Sequence, residues 1–333
     1  MLKRRNLIGA MLAFALSAAP AFAQHAHLAV IVGLAGDPEH AELFQKWGAS
    51  LVDAGTKRYG IPGERIVYLI DKPGGEGPPA TGRSTRDEIA KAFESMAQKA
   101  ANDDVVFVIL IGHGTFDGRV AKFNLPGPDM TAADFGPLLK RLEPRRVVLV
   151  NTASASGPFI EALSGPGRTI VTATRNGAER FATLFGGFFV DALTAEEADA
   201  DKNKRVTVLE AFNYARGEVV KAYEREGIML TEHALLDDTG DKEGTAQPAA
   251  DGKEGRVAAI LSLGSAGSGE PLPDDPKLRA LYEERRTLER RVESLRLLKD
   301  NMEPQRYASE LEKAVTELAL KTREIRAAEG KRK

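Results

Sequence analysis

Residues 105–111 read VVFVILI, and Gly112-His113-Gly114 follow at once. Seven apolar, mostly β-branched residues without a polar break fit a strand buried on both faces, as in the interior of a parallel sheet. Working outward, further apolar runs lie at residues 27–36 (containing LAVIVGL), 65–70, 146–150 and 168–174. Between them the spacing turns helical. Leu43, Phe44, Trp47, Leu51 and Val52 give residues 41–57 one apolar face. Ser84-Thr85 before Asp87-Glu88 has the form of a capping box opening a helix to about residue 101. Residues 180–193 and 208–224 carry further helical patterns. Strand and helix alternate throughout, which predicts an α/β domain with a doubly wound, mostly parallel sheet.

The two ends of the chain differ in kind from this middle. Lys3, Arg4 and Arg5 precede an apolar run from Leu7 to Ala19, then Pro20 and Ala21-Phe22-Ala23. That order reads as a signal peptide over residues 1–23, cleaved after Ala23, and places the mature protein in a periplasm or outside the cell. The run is short for a bilayer span, which needs about 20 residues, and no later segment is long and apolar enough to cross. Arg4-Arg5 leaves the general and twin-arginine export routes both open. Residues 24–265 form the expected domain. Within it, residues 241–255 are poor in apolar side chains and read as a linker, and 257–263 read as a late strand. Residues 266–276 are a flexible boundary. Residues 277–330 are rich in Glu, Arg, Leu and Lys. Leu281, Leu288, Leu295 and Met302 are spaced as heptads, and Leu311, Val315, Leu318 and Ile325 continue the pattern after a break near Pro304. Two helices are expected there, either as a hairpin or as a short coiled coil through which the chain self-associates.

Composition excludes several classes of function. The 46 basic and 48 acidic residues leave a net charge of −2, which argues against a nucleic-acid binder working by bulk positive charge. The chain has 0 cysteines, so disulfides, thiolate metal sites and a thiol nucleophile are all ruled out.

In open α/β sheets, sites form beyond the carboxyl ends of strands. Two such ends carry polar residues among small ones. His113 lies between glycines after the run at 105–111, where an imidazole can serve as a base or simply line a turn. Asn151-Thr152-Ala153-Ser154-Ala155-Ser156-Gly157 follows the run at 146–150 and leads into a helix. A hydroxyl there stands beside a helix N-terminus, as a nucleophile or as a cap. The α/β-hydrolase pattern GxSxG is not met, because Thr152 and Ser156 stand in place of the glycines.

Both motifs, in order and on successive strands, resemble the caspase–legumain group of cysteine peptidases (clan CD), closest to legumain-type asparaginyl endopeptidases and their bacterial relatives. In that group an apolar strand ends in His-Gly, and the next ends in a small residue followed by Cys-x-Ser-Gly. The resemblance implies a caspase–hemoglobinase-like fold. It implies His113 as the catalytic histidine, Gly114 as an oxyanion donor and Ser154 at the position of the nucleophile. Serine there is the defining departure. A thiol titrates near 8.5 and is readily activated by a neighbouring histidine, whereas a serine hydroxyl needs a well-oriented base. A second departure is LAGDPEHAELF at residues 34–44, which lacks the family's asparagine and Arg-His pair.

Three readings of function follow. The first is a catalytically impaired pseudo-peptidase that binds polypeptide at His113 and Ser154. The second is an active peptidase or esterase with Ser154 as nucleophile and His113 as general base. The third is an assembly protein acting through the helical tail. None requires a cofactor. Calcium enters through residues 199–210, where Asp199, Asp201, Asn203, Arg205 (by its carbonyl), Thr207 and Glu210 follow the spacing of an EF-hand loop. Lys204 occupies the position that calls for glycine, so a plain acidic turn is the competing reading. Asp237, Asp238 and Asp241 form a second acidic cluster, expected to be solvated.

Overall fold

β1 (Ala26–Val32) lies inside a seven-stranded sheet and pairs in parallel with β2 (Ile66–Ile70) on one side and the central β4 (Val105–Ile111) on the other. The computed structural model describes residues 25–74, 77–143, 145–264, 272–297, 299 and 302–330. The signal-peptide and cleavage-site reading falls outside them, as does most of the boundary at 266–276. Beyond β2 lies the short β3 (Gly82–Arg83). Beyond β4 come β8 (Arg146–Asn151), β9 (Arg168–Thr172) and β10 (Leu235–Asp237). Every pairing in this sheet is parallel except β10 with β9. Three short strands, β5 (Gly114–Phe116), β6 (Ala121–Phe123) and β7 (Met130–Thr131), form a separate antiparallel sheet directly after His113.

The apolar runs are continuous because both faces are covered. Leu28, Val30, Phe107, Ile109 and Val148 point to one core, shared with α1 (Pro38–Lys57), α5 (Phe185–Thr194) and α6 (Val208–Glu226). Ala29, Ile31, Val106, Val108 and Leu149 point to the other, shared with α2 (Arg86–Lys99), α3 (Ala132–Arg141) and α4 (Pro158–Leu163). The period-2 alternation of a strand thus feeds two cores at once. The order of strands reverses at β1, with β2 and β3 added on one side and β4, β8 and β9 on the other. The crevice at such a switch point is where ligands bind in open α/β sheets.

Helix starts follow local capping chemistry. Asp37 accepts from the His40 N–H and is followed by Pro38 at the first turn of α1. Thr131 and Thr207 form capping boxes with Asp134 and Glu210. Thr85 caps α2 by accepting from the Glu88 N–H. α5 begins at Phe185 and not at residue 180, because its N-terminus is capped from far along the chain. The buried Glu232 carboxylate accepts from the N–H groups of Leu184 and Phe185.

The expected linker at 241–255 is instead a packed loop. The Leu236 and Thr245 backbones exchange hydrogen bonds. The buried Asp238 carboxylate accepts from the N–H groups of Gly255, Val257 and Ala258. Burial, with Asp238 beside it, pushes the Glu254 carboxyl up to about 7. Carboxylates and backbone amides organise this loop, so an apolar count does not find it. Residues 257–263 form turns with a single bridge, Thr207 to Ser262, in place of a strand.

The tail forms α7 (Pro276–Leu297) and α8 (Pro304–Gly330). Leu278 and Tyr282 pack with Ile325, and Val292 and Leu295 pack with Ala314. Early residues of one helix meet late residues of the other, so the pair is an antiparallel hairpin within one chain. Ala314 occupies the inner face where the heptad reading had placed Val315, which is 44% exposed.

Candidate functional site

β4 and β8 run side by side in register, with Leu110 opposite Asn151. His113 and Ser154 each lie three residues beyond that pair, so the two motifs leave the sheet on one rim. Gly114 and Ser154 are in direct contact. The Gly114 N–H donates to Ser154 Oγ at 3.3 Å, and Ser154 Oγ donates to the Gly114 carbonyl at 3.1 Å. A methyl group on Gly114 would meet the Ser154 carbonyl oxygen at 2.1 Å, so the approach admits only glycine. Ser154 is buried, and no hydrogen bond joins it to His113. The serine hydroxyl and the expected oxyanion donor therefore bind each other.

His113 is held from the β1 side of the switch point. Its ring packs edge-on against His40 and Phe44, with centroids 4.7 and 5.1 Å away. Its carbonyl accepts from the Asn124 N–H, which ties it to the small sheet. Burial holds the imidazole below its ordinary value, His40 lowers it further, and a hydrogen bond with the Ala35 backbone and the Asp37 charge offset this in part. The ring is accordingly neutral at neutral pH, the form a general base requires. His40 is itself oriented by Asp37, with 2.8 Å between Nδ1 and Oδ2. One ligand-capable atom from each of Asp37, His40 and His113 lies within 4.8 Å of the others.

The turn after β8 is strained at one point. Ala155 has φ 55°, a left-handed conformation in a residue other than glycine. Its N–H donates to the Glu179 carbonyl. The other polar residues of the motif are engaged away from Ser154. Thr152 Oγ1 donates to the Leu110 carbonyl, and Asn151 Oδ1 accepts from the Ala153 N–H. Ser156 Oγ accepts from the N–H groups of Ala173 and Thr174, linking β8 to the end of β9. None of them supplies a partner to Ser154.

Sequence reasoning missed a second histidine–carboxylate pair on this rim. His233 Nδ1 lies 2.7 Å from Glu179 Oε1, and the His233 and Arg175 N–H groups donate to Glu179 Oε2. These residues sit in loops far apart in the chain and belong to no short motif. Around the rim, Leu34, Leu43, Phe181 and Leu184 are exposed apolar side chains. Leu34 and Leu43 flank the segment that holds His113. Phe181 and Leu184 flank Thr183, whose hydroxyl donates to the Thr152 carbonyl.

Residues 86–236 match the model of the peptidase C13 family. That is the legumain family of clan CD, and the matched residues run from α2 to β10. The C13 region contains the small sheet, the Ser154 turn and the Glu179–His233 pair. β1, with Asp37 and His40 after it, precedes the match, and the helical hairpin follows it. No curated protein matches the chain. No helix among the described residues is long and apolar enough to cross a membrane.

The loop at 199–210 lies at the opposite end of α5 from the Ser154 turn, and its oxygens are turned inward on its own backbone. Asp199 accepts from the N–H groups of Asn203 and Lys204, and Asp201 from the Asn203 N–H and side-chain amide. Asn203 Oδ1 accepts from the Arg205 N–H. Glu210 accepts from Ala200 and from Thr207. Lys204 takes the left-handed φ of 65° that its position calls for. Carboxylate oxygens of Asp199, Asp201 and Glu210 lie within 4.8 Å of one another. The Arg205 side chain pairs with Glu293 of α7 and joins the hairpin to the domain.

Proposed function

We propose that this chain is an exported, catalytically impaired member of the legumain-type peptidases that binds polypeptide at the rim carrying His113 and Ser154. The observation that carries the reading is the pair of hydrogen bonds between Ser154 Oγ and Gly114. An active serine nucleophile gives its proton to a base while backbone N–H groups wait for the oxyanion. Here the hydroxyl proton is directed at a carbonyl, the N–H is spent on the hydroxyl, and the neutral imidazole is hydrogen-bonded elsewhere.

Polypeptide is the ligand class because the fold is that of a peptidase family and the rim is edged with exposed Leu34, Leu43, Phe181 and Leu184. Exposed apolar side chains beside a site favour contact with a partner's own apolar groups. No cofactor is needed for this role, and calcium at Asp199, Asp201 and Glu210 would act on stability alone. A serine-directed phosphonate tests the proposal. The expected result is no labelling of the mature protein and no cleavage of a diverse peptide library, with peptides from that library retained by the immobilised protein. Labelling that disappears in Ser154→Ala would overturn it in favour of an active hydrolase with His113 as base. Failure to retain any peptide would overturn the binding role.

A further inference from the structure

The C13 match ends at Leu236, and the next residues, Asp237-Asp238-Thr239-Gly240-Asp241, turn sharply away from β10. This cluster is not solvated as its composition suggests. Asp237 is fully buried, Glu254 is 5% exposed and Asp238 is 8% exposed. Each carboxylate has a different engagement. Asp238 is saturated by its three backbone N–H donors. Glu254 accepts from the Asp238 N–H at 2.8 Å and from the Thr239 hydroxyl at 2.7 Å. Asp237 Oδ1 accepts from the N–H groups of Thr239 and Gly240. Asp237 Oδ2 is buried and accepts no hydrogen bond. One carboxylate oxygen from each of Asp237, Asp241 and Glu254 lies within 4.8 Å of the others.

We infer that Asp237, Asp241 and Glu254 form a calcium site that fastens the loop of residues 238–258 to the end of β10. A buried carboxylate oxygen without a donor is costly, and pairing or metal coordination is how folded proteins remove that cost. The only ammonium at the cluster, among the described residues, is that of Lys253. It is 67% exposed and reaches Asp241, the most exposed of the three, leaving the buried Asp237 oxygen unmet. An all-oxygen donor set selects a hard cation over zinc or copper. Oxygens within 4.8 Å of one another can share one Ca²⁺, whose bonds to oxygen are roughly 2.3–2.6 Å. Mg²⁺ dehydrates reluctantly and is seldom held by a cage made wholly of protein oxygens, which favours Ca²⁺. Asp237 ends β10, and the turn that follows, with Gly240 at a φ of 81° against the Gly165 backbone, brings Asp241 back beside it.

The site is independent of any chemistry at Ser154. It is tested on the full chain, freed of metal with a chelator and melted with and without about 1 mM Ca²⁺, the affinity range of extracellular calcium modules. Ca²⁺ is expected to raise Tm by about 1–5 °C. The gain should be lost in Asp237→Asn and in Asp241→Asn, and kept in Asp201→Asn. Asp241 is a surface residue, so its variant stays informative if Asp237→Asn folds poorly. Absence of any gain in the unaltered chain overturns the site, as does a gain that survives Asp241→Asn. A gain lost in Asp201→Asn but not in Asp241→Asn places the ion in the 199–210 loop instead.

Discussion

The residue that follows Ser154 explains how the hydroxyl comes to face Gly114. A left-handed alanine costs about 1–2 kcal/mol relative to a relaxed backbone, and the Glu179 carbonyl holds Ala155 there through its N–H. The turn places Ser154 at the end of β8, and its hydroxyl partner is the backbone of Gly114, the residue that the resemblance marks as an oxyanion donor. The motif residues and their shared rim were legible in the sequence because each follows an unbroken apolar strand. The pairs His40–His113 and Glu179–His233 were not, because each joins segments that the sheet topology alone brings together. His113 provides a measurable consequence. Its folded value lies below the ordinary 6.5 through burial first and His40 second. For a group depressed in the folded state, the stabilising contribution is present above the unfolded value and is lost as pH falls. The imidazole Cε1–H resonance should therefore titrate below 6.5 in the native chain, and His40→Ala should shift it upward. A titration at or above the ordinary value in the native protein would contradict this account.

At the scale of elements, what the sequence revealed and what it hid divide along the range of the interactions. β1, β2, β4, β8 and β9 are set by local apolar runs and appear where those runs are, whereas the run at 257–263 forms turns. α1, α2 and α6 begin at caps within three residues of their first turn. α5 does not, because Glu232 supplies its cap across the rim. The residues 180–184 before it are thereby freed to run along the Ser154 turn, with Phe181 73% exposed. In Glu232→Ala the two N–H groups lose a charged acceptor, an interaction worth about 1.5–3 kcal/mol. Burial raises the Glu232 carboxyl and discounts part of that. The expected loss in urea unfolding is about 1–2 kcal/mol. Amide exchange should quicken selectively over the first turn of α5. An unchanged exchange rate at Leu184 and Phe185 would show that the cap contributes nothing.

For the whole molecule, the question is whether the helical hairpin is part of the domain or an assembly device. Its inner face is closed within one chain by Leu278, Tyr282 and Ile325 at one end and by Val292, Leu295 and Ala314 at the other. Arg291 bridges to Glu310 and Glu317, and Lys321 to Glu284, across the two helices. Among the described residues, its ties to the α/β domain include the Arg205–Glu293 pair, beside Arg290 and the Ser262 turn. Heptad spacing alone did not separate the two arrangements, since a hairpin and a coiled coil share the same stripe. What separates them is that Ala314 lies inside and Val315 outside, a one-residue rotation that sequence spacing does not resolve. A chain ended after Pro273 should keep its cooperative melt, with Tm lowered by a few degrees for the lost ion pair and packing. Its mass by sedimentation should fall only by that of the removed residues. A fall from a dimer or larger species to a monomer would assign self-association to α7 and α8. Loss of the melt altogether would show that the hairpin is an integral part of the fold.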